Sequence, residues 1–180
     1  MGYEYGRKVH ASIDTDSLSI QEWKITTASV YDKNIAFEMT DSVRDYNYIL
    51  MDAAYDSSDI YDYIFENTHS VPVIDTNRRR GIVEDRLTYN RKLGISIRKN
   101  ESSRYKLRWE IERTFSILKE ILGMEHIWYV KQRNYDAAIG EIIVAYNCIV
   151  MANKITGISG RKIMYIVMIL FSLMLFQVSC

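Results

Sequence analysis

The chain has 180 residues, 48% of them apolar, with 23 Lys/Arg against 23 Asp/Glu and a formal net charge of zero. That length suits one domain with its own core, and the apolar share excludes a chain disordered by composition. Two cysteines and three scattered histidines exclude a disulfide-built scaffold and any pair at zinc-site spacing, a pattern that fits a reducing compartment.

No secretory signal is read at the start, where the first ten residues are polar and charged. Arg7 to Ile13 alternates, with Val9, Ala11 and Ile13 on one side and Lys8, His10 and Ser12 on the other, which predicts a half-buried strand. Asp14-Thr15-Asp16-Ser17 reads as a turn, and Ile20 to Val30 as the next strand. Asp32 is placed to cap a helix from Lys33 to about Val43, with Ile35, Phe37 and Met39 among its apolar positions.

Tyr48-Ile49-Leu50-Met51 is a continuous apolar run, which predicts a central strand buried on both faces and ending at Asp52. Asp56, Ser57 or Ser58 then caps a helix through about Asn67. Val71-Pro72-Val73-Ile74 predicts a short strand, with Pro72 favouring an edge or a strand start.

From Asn77 to Arg108 there are eleven Lys/Arg against Glu84, Asp85 and Glu101, a local balance of +8 in a neutral chain. Such a block points to a polyanion at one surface and is expected to be mostly loop. A helix follows from about Ser103 to Leu122, stopped by Gly123. The last regular helix runs from about Tyr135 to Thr156 and reads as mostly buried, with Cys148 as a core residue. The element order is α/β with a mixed sheet flanked by helices.

Ile163 to Cys180 is a run of eighteen uncharged residues preceded by Arg161 and Lys162, at the threshold length for spanning a bilayer. Gly157 and Gly160 make a joint before it. The reading is a domain over residues 1–160 and an apolar tail over residues 161–180, dispensable for the domain.

One helix carries the most specific pattern. Tyr105, Arg108, Glu112 and Lys119 fall within an arc of roughly 60° at about 100° per residue. Leu107, Ile111, Phe115, Leu118 and Leu122 form an apolar stripe beside them. A carboxylate at that border is expected to be held rigidly and partly desolvated, with cations beside it. Arg108 and Glu112 alone also describe a plain i,i+4 surface pair.

The spacing Tyr, two residues, Arg, three residues, Glu, six residues, Lys resembles the signature of the DDE transposases of prokaryotic insertion sequences. Asp52-Ala53-Ala54-Tyr55-Asp56-Ser57 resembles the family's middle-acid segment, and Gly6-Arg7-Lys8-Val9-His10 its second strand. The segment from Thr27 to Asp32 resembles the strand-to-helix turn that follows that strand. The resemblance implies an RNase H-like fold, with Asp52 and Glu112 as catalytic, metal-binding acids for Mg²⁺ or Mn²⁺. It implies that Tyr105, Arg108 and Lys119, with Arg78, Arg79 and Arg80 of the basic block, contact DNA. DNA, as element ends and target, is then the substrate, with no small-molecule substrate. A second copy of the chain or a full-length transposase is the expected protein partner, and the cytoplasm, at the nucleoid, the expected location.

The family's first acid lies on a strand upstream of the Gly6-to-His10 segment, and the sequence leaves no room for it after Met1. The expectation is therefore the C-terminal part of a catalytic domain, lacking the first strand and first Asp and inactive alone. Asp14 or Asp16 is the substitute to be tested. The alternatives are a non-catalytic DNA-binding fragment that inhibits the full-length enzyme, and a membrane protein anchored through residues 163–180.

Overall fold

The computed structural model of the chain describes residues 6–77, 87–128 and 131–158. The chain divides into two compact units. Gln21–Glu112 and the chain up to Ser12 make the first, while Ile13–Ile20 and the chain from Arg113 onward make the second.

The first unit begins with strands β1 (Arg7–Ile13) and β2 (Ile20–Thr27), paired as a hairpin. β1 has the bounds its alternation predicts, but β2 stops at Thr27, short of the expected Val30. The chain turns there, with the Val30 N–H donating to the Thr27 carbonyl at 3.1 Å. Helix α1 (Asp32–Asp41) follows. Asp32 is not its cap as expected: it is the first helical residue, and its carboxylate accepts from Lys8 Nζ at 3.0 Å. Lys8 also donates to the Val30 carbonyl at 3.0 Å, so one ammonium ties β1 to the entry of α1.

Strand β3 (Tyr48–Met51), helix α2 (Ser58–Asn67) and strand β4 (Val71–Ile74) form a β-α-β unit. β3 and β4 are parallel, in the register Tyr48↔Val71 to Met51↔Ile74. Both strands have the bounds read from their apolar runs. The expected mixed sheet is not what forms among the described residues. β3 pairs with β4 in one two-stranded sheet, β1 with β2 in another, and only Ile49 of β3 is fully buried. β3 is therefore not a central strand there. The core of this unit gathers Ala36, Ile49, Ile60, Tyr61, Ile64 and Ile74, with Phe37, Val43 and Met51 packed against it. Each buried aliphatic side chain contributes on the order of 1.5–3 kcal/mol relative to exposure.

The basic block is not mostly loop. Tyr89–Asn100 is helix α3, its first turn capped by the Thr88 hydroxyl accepting from the Arg91 N–H at 3.3 Å. Gly94 explains how this charged helix reaches the core. A Cβ there would stand 2.1 Å from the ring of Tyr61, so only glycine lets α3 approach α2 this closely. The segment expected as one helix from Ser103 to Leu122 is helical without interruption from Ser102 to Ile121 but changes pitch along its length. It consists of α4 (Ser102–Tyr105), a 3₁₀ turn (Lys106–Arg108), α5 (Trp109–Ser116) and a π-helical turn (Ile117–Ile121). The uniform 100° step behind the predicted arc does not hold through these changes of pitch.

The second unit pairs the hairpin tip with helix α6 (Gln132–Ile155). The Asn147 side chain accepts from the Ile20 N–H at 2.8 Å and donates to the Ile20 carbonyl at 2.9 Å. The Tyr146 hydroxyl donates to the Leu18 carbonyl at 2.9 Å. Ile139, Ile143, Tyr146, Val150 and Asn153 of α6 are buried. The opposite face is not: Val144, Cys148, Met151 and Ile155 are exposed, at spacings that put them on one stripe. Cys148 is thus a surface thiol rather than the expected core residue, and α6 is only partly buried. Among the described residues α6 is the helix long and apolar enough to cross a membrane by length and composition. Gly123, at φ 79°, follows the end of the helical stretch at Ile121, as expected of a stop. The tail from Arg161 to Cys180 lies outside the described residues.

Candidate active site

Asp52 is the first residue beyond β3. Its backbone stays extended, and its Oδ1 accepts from the Ala54 N–H at 2.8 Å, capping a 3₁₀ turn over Ala53–Tyr55. The carboxylate is exposed. Because β3 and β4 are parallel and in register, Asp75 leaves the same carboxyl edge one residue beyond Ile74. Its N–H donates to the Met51 carbonyl at 3.3 Å. Ligand sites of α/β proteins gather at such edges.

Asp56 has another task than capping α2. The cap position belongs to Ser57, which makes no side-chain cap bond. The Asp56 carboxylate is fully buried and accepts Arg91 Nε and Nη2, both at 2.9 Å, together with the Asn77 N–H at 2.8 Å. It is a two-pronged buried ion pair joining the start of α2 to α3.

Glu112 stands on α5 in an ion pair with Arg108, Nη1 to Oε1 2.7 Å. The two ends differ in environment. The Arg108 side chain is 20% exposed and the Glu112 side chain 59%, so the expected partial desolvation falls on the cation instead. The buried carboxylate of this helix is Glu110. Burial alone would depress the pKa of Arg108. The hydrogen bond to Glu112, the Tyr105 phenol and the charges of Glu112 and Asp52 overcome that and hold it above its ordinary value. One guanidinium therefore feels both predicted acids.

Tyr105 is half-buried between cations. The Arg98 guanidinium lies 3.7 Å from its ring centroid and that of Arg108 5.7 Å. Burial and then the charge of Asp75 push its phenol pKa up, against the pull of Arg108 and Arg98. Arg98 pairs with Asp75 at 3.4 Å. Arg104 lies over the ring of Tyr48 at 3.9 Å and pairs with Glu101 at 3.0 Å.

Within the first unit Tyr105, Arg108 and Glu112 of the predicted set are in contact, and Asp52 is linked to them through its charge effect on Arg108. Lys119 is exposed in the π-helical turn of the second unit. Arg78, Arg79 and Arg80 lie outside the described residues. Asp14, considered as a substitute acid, is engaged in its own turn. It accepts from the Asp16 N–H at 3.1 Å and from the Ser17 N–H and hydroxyl at 3.3 and 2.6 Å. Asp75 and Arg98, which adjoin Arg108 and Glu112 through the ring of Tyr105, are not among the site residues the sequence singles out. The signal existed, since Asp75 follows the apolar run Val71–Ile74 just as Asp52 follows Tyr48–Met51.

Hard carboxylate oxygens of the Asp52 and Glu112 type suit Mg²⁺ or Mn²⁺. The fit is partial: among the described residues no three acidic, His or Cys side chains cluster to hold an ion. The family model described as transposase DDE domain matches residues 2–148 of the chain. No curated protein and no solved structure matches it.

Proposed function

Since the chain belongs to the transposase DDE-domain family, whose substrate is DNA and whose members generally use divalent metal ions, we propose that the edge at Asp52 and Glu112 is where it handles a DNA strand. Arg108 carries this reading: it pairs with Glu112 of α5 at 2.7 Å, and the charge of Asp52, at the carboxyl end of β3, adds to what holds its pKa up. The proposal includes the group with the Tyr-Arg-Glu-Lys signature and the RNase H-like plan.

Asp52 and Glu112 would hold Mg²⁺ or Mn²⁺. Such ions would supply activation of an attacking oxygen and stabilisation of a leaving one at phosphorus. Tyr105 and Arg108 would hold phosphates or orient Glu112, and Lys119, with Arg78, Arg79 and Arg80, would contact DNA phosphates. Arg108 would have two duties, which its fork of donors permits: Nη1 serves Glu112 at 2.7 Å, and a phosphate would take up other donors of the guanidinium. With Asp52 and Glu112 as its proposed ligands, the chain alone is expected to bind metal weakly and to lack strand transfer. The second reading is a DNA-binding fragment without catalysis.

The test is a duplex DNA assay with Mn²⁺, scoring both retardation and strand breakage for the wild type and for Glu112→Gln. Salt-sensitive retardation is expected from the basic surface. Strand breakage lost in Glu112→Gln supports the catalytic reading, and retardation without breakage supports the second. No retardation at low salt would contradict both.

A further inference from the structure

Tyr105 owes its placement to groups outside its own helix. Arg98 of α3 covers its ring face, 3.7 Å from the centroid. Arg98 is held in turn by Asp75, Nη2 to Oδ1 3.4 Å. Its side chain is only 20% exposed, and its Nε is buried with no hydrogen-bond partner. A guanidinium placed this way gives up hydration for a close cation–ring contact, which a flat guanidinium makes over a broader area than a compact ammonium. Beyond Tyr105 comes Arg108, and then Glu112 at 2.7 Å. The groups Asp75, Arg98, Tyr105, Arg108 and Glu112 form a series of ion pairs and ring contacts from the edge of β4 to α5.

Asp75 is the odd member of that series. Its side chain is 48% exposed, and a carboxylate on a polyanion-binding face repels phosphate. We propose that Asp75 and Arg98 are positioning residues for DNA: Asp75 fixes the Arg98 plane, and Arg98 fixes the Tyr105 ring that, with Arg108, meets the phosphate backbone. This rests on the DNA reading of the same site. It gives the Asp75 charge a purpose that outweighs its repulsion.

The sign of one effect separates positioning from bare charge. If Asp75 acted only by its charge, Asp75→Asn would tighten DNA binding. If it positions Arg98, Asp75→Asn loosens binding, by about three- to tenfold for a lost cation–ring contact. Arg98→Lys keeps the charge, so it should also loosen binding while leaving the salt slope unchanged. The measurement is anisotropy of a labelled non-specific duplex across a salt series, with thermal melting of each variant alongside. In the free proteins, the ring resonance of Tyr105 in isotope-labelled tyrosine spectra, assigned with Tyr105→Phe, should move in both variants. Wild-type binding with Asp75→Asn equal or tighter overturns this inference alone. Absence of salt-dependent binding by the wild type overturns the DNA reading and this inference with it.

Discussion

Asp56 and Asp52 stand four residues apart in one segment, yet their environments give them different work. Asp56 is fully buried and spends both oxygens on Arg91 and the Asn77 N–H, while Asp52 is exposed with one oxygen on a local turn. A buried pair broken from one side leaves an uncompensated charge, typically costing about 3–5 kcal/mol. Asp56→Ala should therefore lower unfolding free energy by that order in urea melts, while Asp52→Asn should change it by less than about 0.5 kcal/mol, as for surface sites. Equal losses in the two variants would contradict the division of labour. The sequence alone could not separate these roles. Tyr55-Asp56-Ser57 matched a helix-start pattern, and a cap is the usual use of such residues. The partner that claims Asp56 lies thirty-five positions away on a helix the sequence did not announce. Glu112 was legible from its spacing to Arg108, but the unequal burial of that pair was not, because it depends on which side of Arg108 the rest of the first unit covers.

Element by element, legibility followed the simplicity of the local signal. β1, β3 and β4 have the bounds the sequence predicts because the alternation or the apolar run ends at Asp in each case. α3 was missed. Its twelve residues carry Arg91, Lys92, Arg98 and Lys99, and Gly94 lies in its middle, so both charge and propensity argued for loop. Only the packed Tyr61 ring gives Gly94 its reason. Gly94→Ala gains helix propensity but puts a methyl into that ring. The clash should win, with a loss of about 1–3 kcal/mol typical of overpacking. Thermal melting checks this, and a stabilised Gly94→Ala would show that α3 does not rest on Tyr61. The quartet helix failed as a regular helix for a related reason. A 3₁₀ turn before α5 and a π-helical turn after it are changes of pitch that no periodicity template contains.

At the scale of the whole molecule, a net charge of zero conceals a chain whose cations are placed for use. In the first unit the described arginines of the basic block are engaged one by one, Arg91 with Asp56, Arg98 with Asp75, Arg104 with Glu101 and Arg108 with Glu112. That unit unites the acids of two strand ends and a helix around arginine and tyrosine side chains, which suits the proposed DNA strand and the proposed metal ions. The central claim is that Asp52 and Glu112, far apart in sequence, serve one ion. Mn²⁺ binding followed by electron paramagnetic resonance in the wild type, Asp52→Asn and Glu112→Gln tests it most directly. The account predicts weak binding by the wild type and a loss of about tenfold or more in each variant, since affinity for hard cations follows the number of charged ligands. Mn²⁺ affinity unchanged in either variant would contradict it.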